Sequence, residues 1–215
     1  MKPKQFKGAV HAARGANEAP RYYECPVCGL LSADPAFGGG TVDCPLCDAP
    51  PSSRRLFPPE RLRRLDARIR SYHADGESEI VVILVATFLE TLLEDILDRI
   101  MNAHGADASV RAAVLDTQRA VGMRIGRLFP TLVGEQFEDA AAELGYRDFP
   151  KRWRQMRATR NAFIHDDPYE GARETIDNAT ASQAMDLLDQ AYQLFVLMNN
   201  RFVAKKPGGA APARS

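Results

Sequence analysis

ESEIVVILVATFLETLLEDILDRIMNA, from Glu77 to Ala103, decides how this chain folds. Apolar residues recur in it at intervals of three and four, the mark of a helix. One face carries Val81, Leu84, Val85, Phe88, Leu92 and Ile96, and another carries Val82, Ala86, Leu89, Leu93, Leu97 and Ile100. A helix with one wet side needs a single stripe. Two faces therefore predict a helix inside a bundle, or one that meets a second subunit as well as its own core. The longest apolar run, Ile80 to Leu89, ends at Glu90 and falls short of the ~18 to 20 residues that cross a membrane.

Downstream, residues 107–121 and 131–144 read as shorter helices separated by Gly122, Gly126 and Pro130. A further helix over residues 149–166 is stopped by Pro168, because the residue before a proline is pushed out of helical backbone. Asn178 and Thr180 offer caps for a last long helix, whose stripe of Ala184, Leu187, Leu188, Ala191, Phe195, Met198 and Phe202 is core. Upstream, Ala49-Pro50-Pro51-Ser52-Ser53 reads as a stiff linker, and Pro58-Pro59 opens a basic helix to about Tyr72. The expected fold is mainly α: an antiparallel helical bundle over residues 77–204, preceded by a small β zinc ribbon over 21–50 and a linker with basic helix over 51–76. Residues 1–20 and 205–215 read as flexible ends. No secretory signal is apparent behind Lys2, Lys4 and Lys7, so the expected compartment is the cytoplasm, with no membrane partner.

The ribbon rests on the cysteines. All four lie in Cys25-Pro26-Val27-Cys28 and Cys44-Pro45-Leu46-Cys47, with fifteen residues between the pairs. Each pair makes a tight knuckle whose sulfurs take two corners of a tetrahedron, and Gly38-Gly39-Gly40 suits a hairpin tip between them. Two disulfides are the competing reading, and they are disfavoured in a reduced compartment. Four thiolates leave no open position for water, so Cys25, Cys28, Cys44 and Cys47 are expected to hold a structural zinc.

Net charge is zero, yet the charges are not mixed evenly. Arg54, Arg55, Arg61, Arg63, Arg64, Arg68 and Arg70 form one basic cluster, and Arg147, Lys151, Arg152, Arg154, Arg157 and Arg160 another. The second contains Arg160-Asn161-Ala162-Phe163-Ile164-His165. The interval from arginine to histidine recurs at Arg68 and His73 and at Arg99 and His104, but only Arg160 is followed by a polar side chain. Asn161 and His165 share a helix face, whereas Arg160 stands about 140° around from His165 and needs its long stem to reach it. Trp153, Met156, Arg160, Phe163 and Ile164 form a stripe with Arg160 in its middle. A guanidinium there needs an anion, either a structural acid such as Glu90 or Glu94 or a phosphate ligand.

A bundle whose broad early helix contains Phe88-Leu89-Glu90, with Arg160-Asn161-Ala162-Phe163-Ile164-His165 near the end of its penultimate long helix, resembles the HEPN superfamily over residues 77–204. In that family the arginine is followed by a polar residue, and four to six residues in all separate the arginine from the histidine. The resemblance implies a metal-independent endoribonuclease acting as a homodimer, each protomer giving one motif, in phage defence, toxin–antitoxin pairs or RNA processing. It also implies a possible antitoxin or other regulatory protein as partner. Other relatives bind nucleotide or RNA without cutting.

The side chains fit that chemistry on their own terms. Scission by the 2′-hydroxyl needs a base, an acid and a cation for the phosphorane charge. His165 titrates near neutrality, Arg160 can grip a phosphate bidentately, and Asn161 can orient His165 or bind a phosphate oxygen. Lys151, Arg152, Arg154 and Arg157 would follow the RNA backbone, and the products would end in 2′,3′-cyclic phosphate and 5′-hydroxyl. The alternatives are a module that binds RNA or nucleotide without cleavage, and a zinc-ribbon adaptor that dimerises through its bundle.

Overall fold

The computed structural model describes residues 20–51, 54–164 and 176–205. His165, the Pro168 stop and the expected flexible ends, apart from Pro20 and Lys205, lie outside the described residues. The chain is mainly helical with a small antiparallel sheet near its start. The sheet comprises β1 (Tyr22–Glu24), β2 (Leu31–Ser32) and β3 (Arg55–Phe57) in the order β2-β1-β3. Its helices are α1 (Pro35–Gly38), α2 (Glu60–Ala74), α3 (Ser78–Ala103), α4 (Ala108–Thr117), α5 (Val121–Met123), α6 (Phe129–Val133), α7 (Phe137–Glu143), α8 (Phe149–Ile164) and α9 (Asn178–Phe202).

α3 is the spine, as its two apolar faces require. Val81, Val82, Val85, Ala86, Phe88, Leu89, Leu92 and Leu93 are all fully buried. α9 lies along it in the same direction: Ser78 Oγ donates to Asn178 Oδ1 at one end, and Lys205 Nζ reaches the Ala103 carbonyl at the other. α2 folds back against α3 and is tied to α9 by charge. Arg70 donates to the fully buried Asp66 and to Asp189, so part of the basic helix is an internal ion network rather than a wet face. Phe137, Phe149, Trp153 and Phe195 stack edge-on or tilted where α7, α8 and α9 meet.

Five expectations need correction. The supposed linker contains a strand: β3 pairs with β1, setting Phe57 opposite Tyr22, and both rings are buried. Gly38-Gly39-Gly40 is not a hairpin tip. Asp34 caps the short α1 by accepting from Ala36 N, and Gly38 passes so close under the Tyr23 ring that a methyl group would collide with it. Residues 121–133 are helical throughout, because a π turn at Arg124–Leu128 absorbs Pro130. Phe129 N donates to the Arg124 carbonyl five residues back, a widened turn that relieves the clash a proline ring makes inside an α-helix. The helix expected over 131–144 breaks instead at Gly134, whose φ of 83° is left-handed. Finally, α9 is capped by Asp177, which accepts from Thr180 N, rather than by Asn178 or Thr180.

The cysteine segment is fastened to the bundle. Tyr22, Leu31 and Phe57 belong to the same core as α3 and α9. Asn200 pairs with both Leu31 N and Leu31 O, Asn199 donates to Gly29 O, and Lys205 N donates to Cys28 O. Arg99 spans Asp95 and Glu24, joining α3 to β1.

Candidate functional site

The two knuckles are built alike. Gly29 N returns to Cys25 O and Asp48 N to Cys44 O, and both fourth-following residues, Gly29 and Asp48, adopt left-handed backbone. The turns bring all four sulfurs within 4.8 Å of one another. Cys25 and Cys47 are 3.7 Å apart and Cys28 and Cys44 3.6 Å. Such spacings match the edge of a tetrahedron with metal–sulfur bonds of ~2.3 Å, which is about 3.8 Å. The cluster can hold a metal ion such as zinc.

Its charge supports the same reading. Burial pushes the Cys28 and Cys44 thiols up. Burial acts on Cys25 in the same sense, but the backbone N–H groups of Cys28 and Val27 and the neighbouring thiols outweigh it and bring Cys25 to about 7. A divalent cation reverses the penalty on all of them, since a coordinated thiol is deprotonated outright. Arg54 adds a second positive charge. Its Nη1 lies 3.3 Å from Cys25 Sγ, its guanidinium sits 4.3 Å from the centre of the Phe37 ring, and Nε and Nη2 are buried without a hydrogen-bond partner among the described residues. Arg54, in sequence one member of the first basic cluster, stands over the sulfurs.

The second site lies where α3 meets α8. Arg160 donates through Nη1 to Glu90 Oε1 at 3.1 Å, and through Nε and Nη2 to Asn161 Oδ1 at 3.1 and 2.9 Å. Arg157 Nε lies 3.4 Å from the same Glu90 oxygen, out of line for a hydrogen bond. Two guanidiniums therefore share one carboxylate in a half-buried setting, and among the described residues their charge exceeds it by one unit. Asn161 spends its carbonyl on Arg160, leaving the amide N–H groups for a ligand.

Glu94, the other acid considered for Arg160, is elsewhere: it accepts from Arg124 in a separate cleft of about 500 Å³ lined also by Asp95, Asp98 and Arg119. Among the other basic candidates, Lys151 is exposed, Arg152 reaches the Gln183 carbonyl, and Arg154 pairs with Glu138 while staying largely exposed. The apolar stripe ends sooner than its spacing suggests. Trp153 and Met156 are buried, but Phe163 is 38% and Ile164 52% exposed, so the last turn of α8 projects beyond the core.

No protein-family model matches the chain, nor does any curated protein or solved structure. Sequence reasoning missed Arg54 at the sulfurs, and the sharing of Glu90 by two arginines. The second had a visible signal, since Arg157 and Arg160 stand three apart on one helix face.

Proposed function

We propose that the chain is a metal-independent endoribonuclease of the HEPN kind, cutting RNA by attack of a 2′-hydroxyl on the adjacent phosphate. The observation that carries this reading is the pair Arg157 and Arg160 over the single carboxylate of Glu90, a surplus cation among the described residues, with Asn161 bracing Arg160. A phosphate diester supplies the missing anion, and a pre-braced guanidinium can stabilise the extra charge of the phosphorane without reorganising. On this account Glu90 and Asn161 are positioning residues, Arg160 grips the phosphate, and His165, one turn beyond Asn161 in sequence, exchanges protons with the 2′- and 5′-oxygens. Lys151, Arg152, Arg154 and Arg157 extend the electrostatic track along α8.

The exposed Phe163 and Ile164, beside the motif, favour a homodimer in which two such sites face one another. A second histidine would then let one act as base and the other as acid. The cysteine cluster plays a structural part: it holds a zinc ion that fastens the sheet to the end of α9.

One observation favours a second reading. The Arg160–Glu90 pair would equally serve a bundle that only dimerises or binds nucleotide, with the cysteine segment as an adaptor. Incubating wild-type and His165→Ala protein with RNA in buffer free of added divalent cations, with bound metal assayed throughout, separates the two. Cleavage to 2′,3′-cyclic phosphate ends that His165→Ala lowers by ~10²-fold or more, with circular dichroism unchanged, supports the nuclease. Binding without cleavage in both proteins favours the second reading.

A further inference from the structure

A cavity of about 220 Å³ lies between the helical segment of residues 121–133 and α8, next to the shared Glu90 site. Gly122 and Gly126, four apart on one helix face, form part of its wall. Neither has left-handed backbone, and a methyl group on either would touch nothing within 4 Å among the described residues. Glycine inside a helix costs roughly 1 kcal/mol relative to alanine, so two of them without a conformational or packing reason keep a space open.

The remaining wall says what fits there. Trp153 is 1% exposed, and its indole Nε1 is buried without a hydrogen-bond partner among the described residues. Arg157 Nε makes no hydrogen bond among the described residues either, but it is ion-paired with Glu90 Oε1 at 3.4 Å. An unpaired buried donor such as the indole Nε1 is costly, so a natural occupant carries an acceptor atom. Arg154 and Arg157 place cationic groups on the wall, and Glu138 already accepts from Arg154. The volume is below the ~300 Å³ from which sites for drug-sized ligands begin, which limits the occupant to about one ring system.

We propose that this cavity receives the base of a single unpaired nucleotide whose phosphate lies against Arg157. The inference rests on the RNA reading above and deepens it, placing a base-reading pocket beside the Arg160 phosphate site. A free mononucleotide has the same chemistry, and the test separates the two sources.

Trp153 is the chain's one tryptophan, so its fluorescence reports this cavity in the intact, metal-loaded protein. The titrants are the four nucleoside 5′-monophosphates and a 2′-O-methylated RNA oligonucleotide, with RNA binding followed separately by polarisation of an end label. The expected result is a saturable change in Trp153 emission with the oligonucleotide and with at least one mononucleotide. Gly126→Leu, which fills the cavity, should weaken that response about tenfold or more while leaving the melting temperature unchanged or raised. Gly122→Leu serves the same purpose should Gly126→Leu fail to fold. Arg160→Ala should weaken the oligonucleotide while sparing the mononucleotide response.

RNA binding with no change in Trp153 emission, or a response that survives both leucine variants, would overturn the pocket and leave the RNA reading standing. A mononucleotide response in a protein that neither binds nor cuts RNA would overturn the RNA reading and keep the cavity as a free-nucleotide site. No response to either titrant would overturn the proposal.

Discussion

Arg160 Nη1 lies 3.1 Å from Glu90 Oε1, and that one oxygen also stands 3.4 Å from Arg157. Glu90 is thus both the support of the arginine pair and the competitor of any phosphate that approaches it. Two unit charges 4 Å apart near a protein surface exchange about 4 kcal/mol, less where water reaches the pair, as it does here. Glu90→Gln should therefore raise RNA affinity roughly tenfold, or ~1.4 kcal/mol, while lowering folding stability by about 1 to 3 kcal/mol. Label polarisation and urea unfolding read the two effects. Weaker RNA binding by a folded Glu90→Gln protein would show that Glu90 does not compete with the ligand.

Metal removal should loosen more than the cysteine segment. Cys28 O accepts from Lys205, Gly29 O from Asn199, and Leu31 pairs with Asn200, so the knuckle and the end of α9 share their hydrogen bonds. Structural zinc contributes on the order of 10 kcal/mol in small peptides. Cys28→Ser should lose the metal and lower the thermal midpoint of the helical circular-dichroism signal. An unchanged helical midpoint would mean that the segment is energetically separate.

Metal affinity should fall as pH falls. The ligands bind as thiolates, and protons compete wherever the pH is below a thiol's own range. Burial raises Cys28 and Cys44, so both surrender protons on metal binding at neutral pH, and Cys25, at about 7, surrenders part of one. Competition with a chromogenic chelator should show affinity rising steeply from about pH 6 to 8. A flat profile would contradict four-thiolate ligation.

Arg54→Ala should speed metal release about tenfold or more without altering the helices, because it removes the guanidinium that shields Cys25 Sγ. Arg54→Lys, which keeps the charge and loses the stacking on Phe37, should fall between. Release to a chelator, followed by absorbance, measures this.

Asn200→Ala removes both hydrogen bonds to Leu31 and leaves a backbone N–H and C=O unpaired in a part-buried place. The expected cost is about 1 to 3 kcal/mol in urea unfolding. No change would show that water replaces the amide there.

The helices were legible because α3 and α9 write their burial into period: Phe88 and Leu92, or Leu188 and Phe195, stand where a 3.6-residue repeat puts them. The cysteine cluster was legible because its chemistry is local. What escaped depended on partners distant in sequence. β3 is three residues whose strand character comes from pairing Phe57 with Tyr22, and local composition, dominated by prolines, pointed to a linker. The π turn answers a clash between Pro130 and its own preceding turn. Arg54 looked like one more basic residue until the fold set it over Cys25. The Glu90 contact was one of two acids that sequence offered Arg160, and only packing of α8 on α3 chose between them.

The most direct test of the phosphate site is the salt dependence of binding to a 2′-O-methylated RNA, which carries the phosphates but cannot be cut. Arg160→Ala should weaken binding and reduce the slope of log affinity against log salt by about 0.7, the share of one phosphate contact on a single strand. The wild-type fold should persist in that variant. Identical affinity and slope in the two proteins would contradict the account, because Arg160 would then be a structural partner of Glu90 and nothing more.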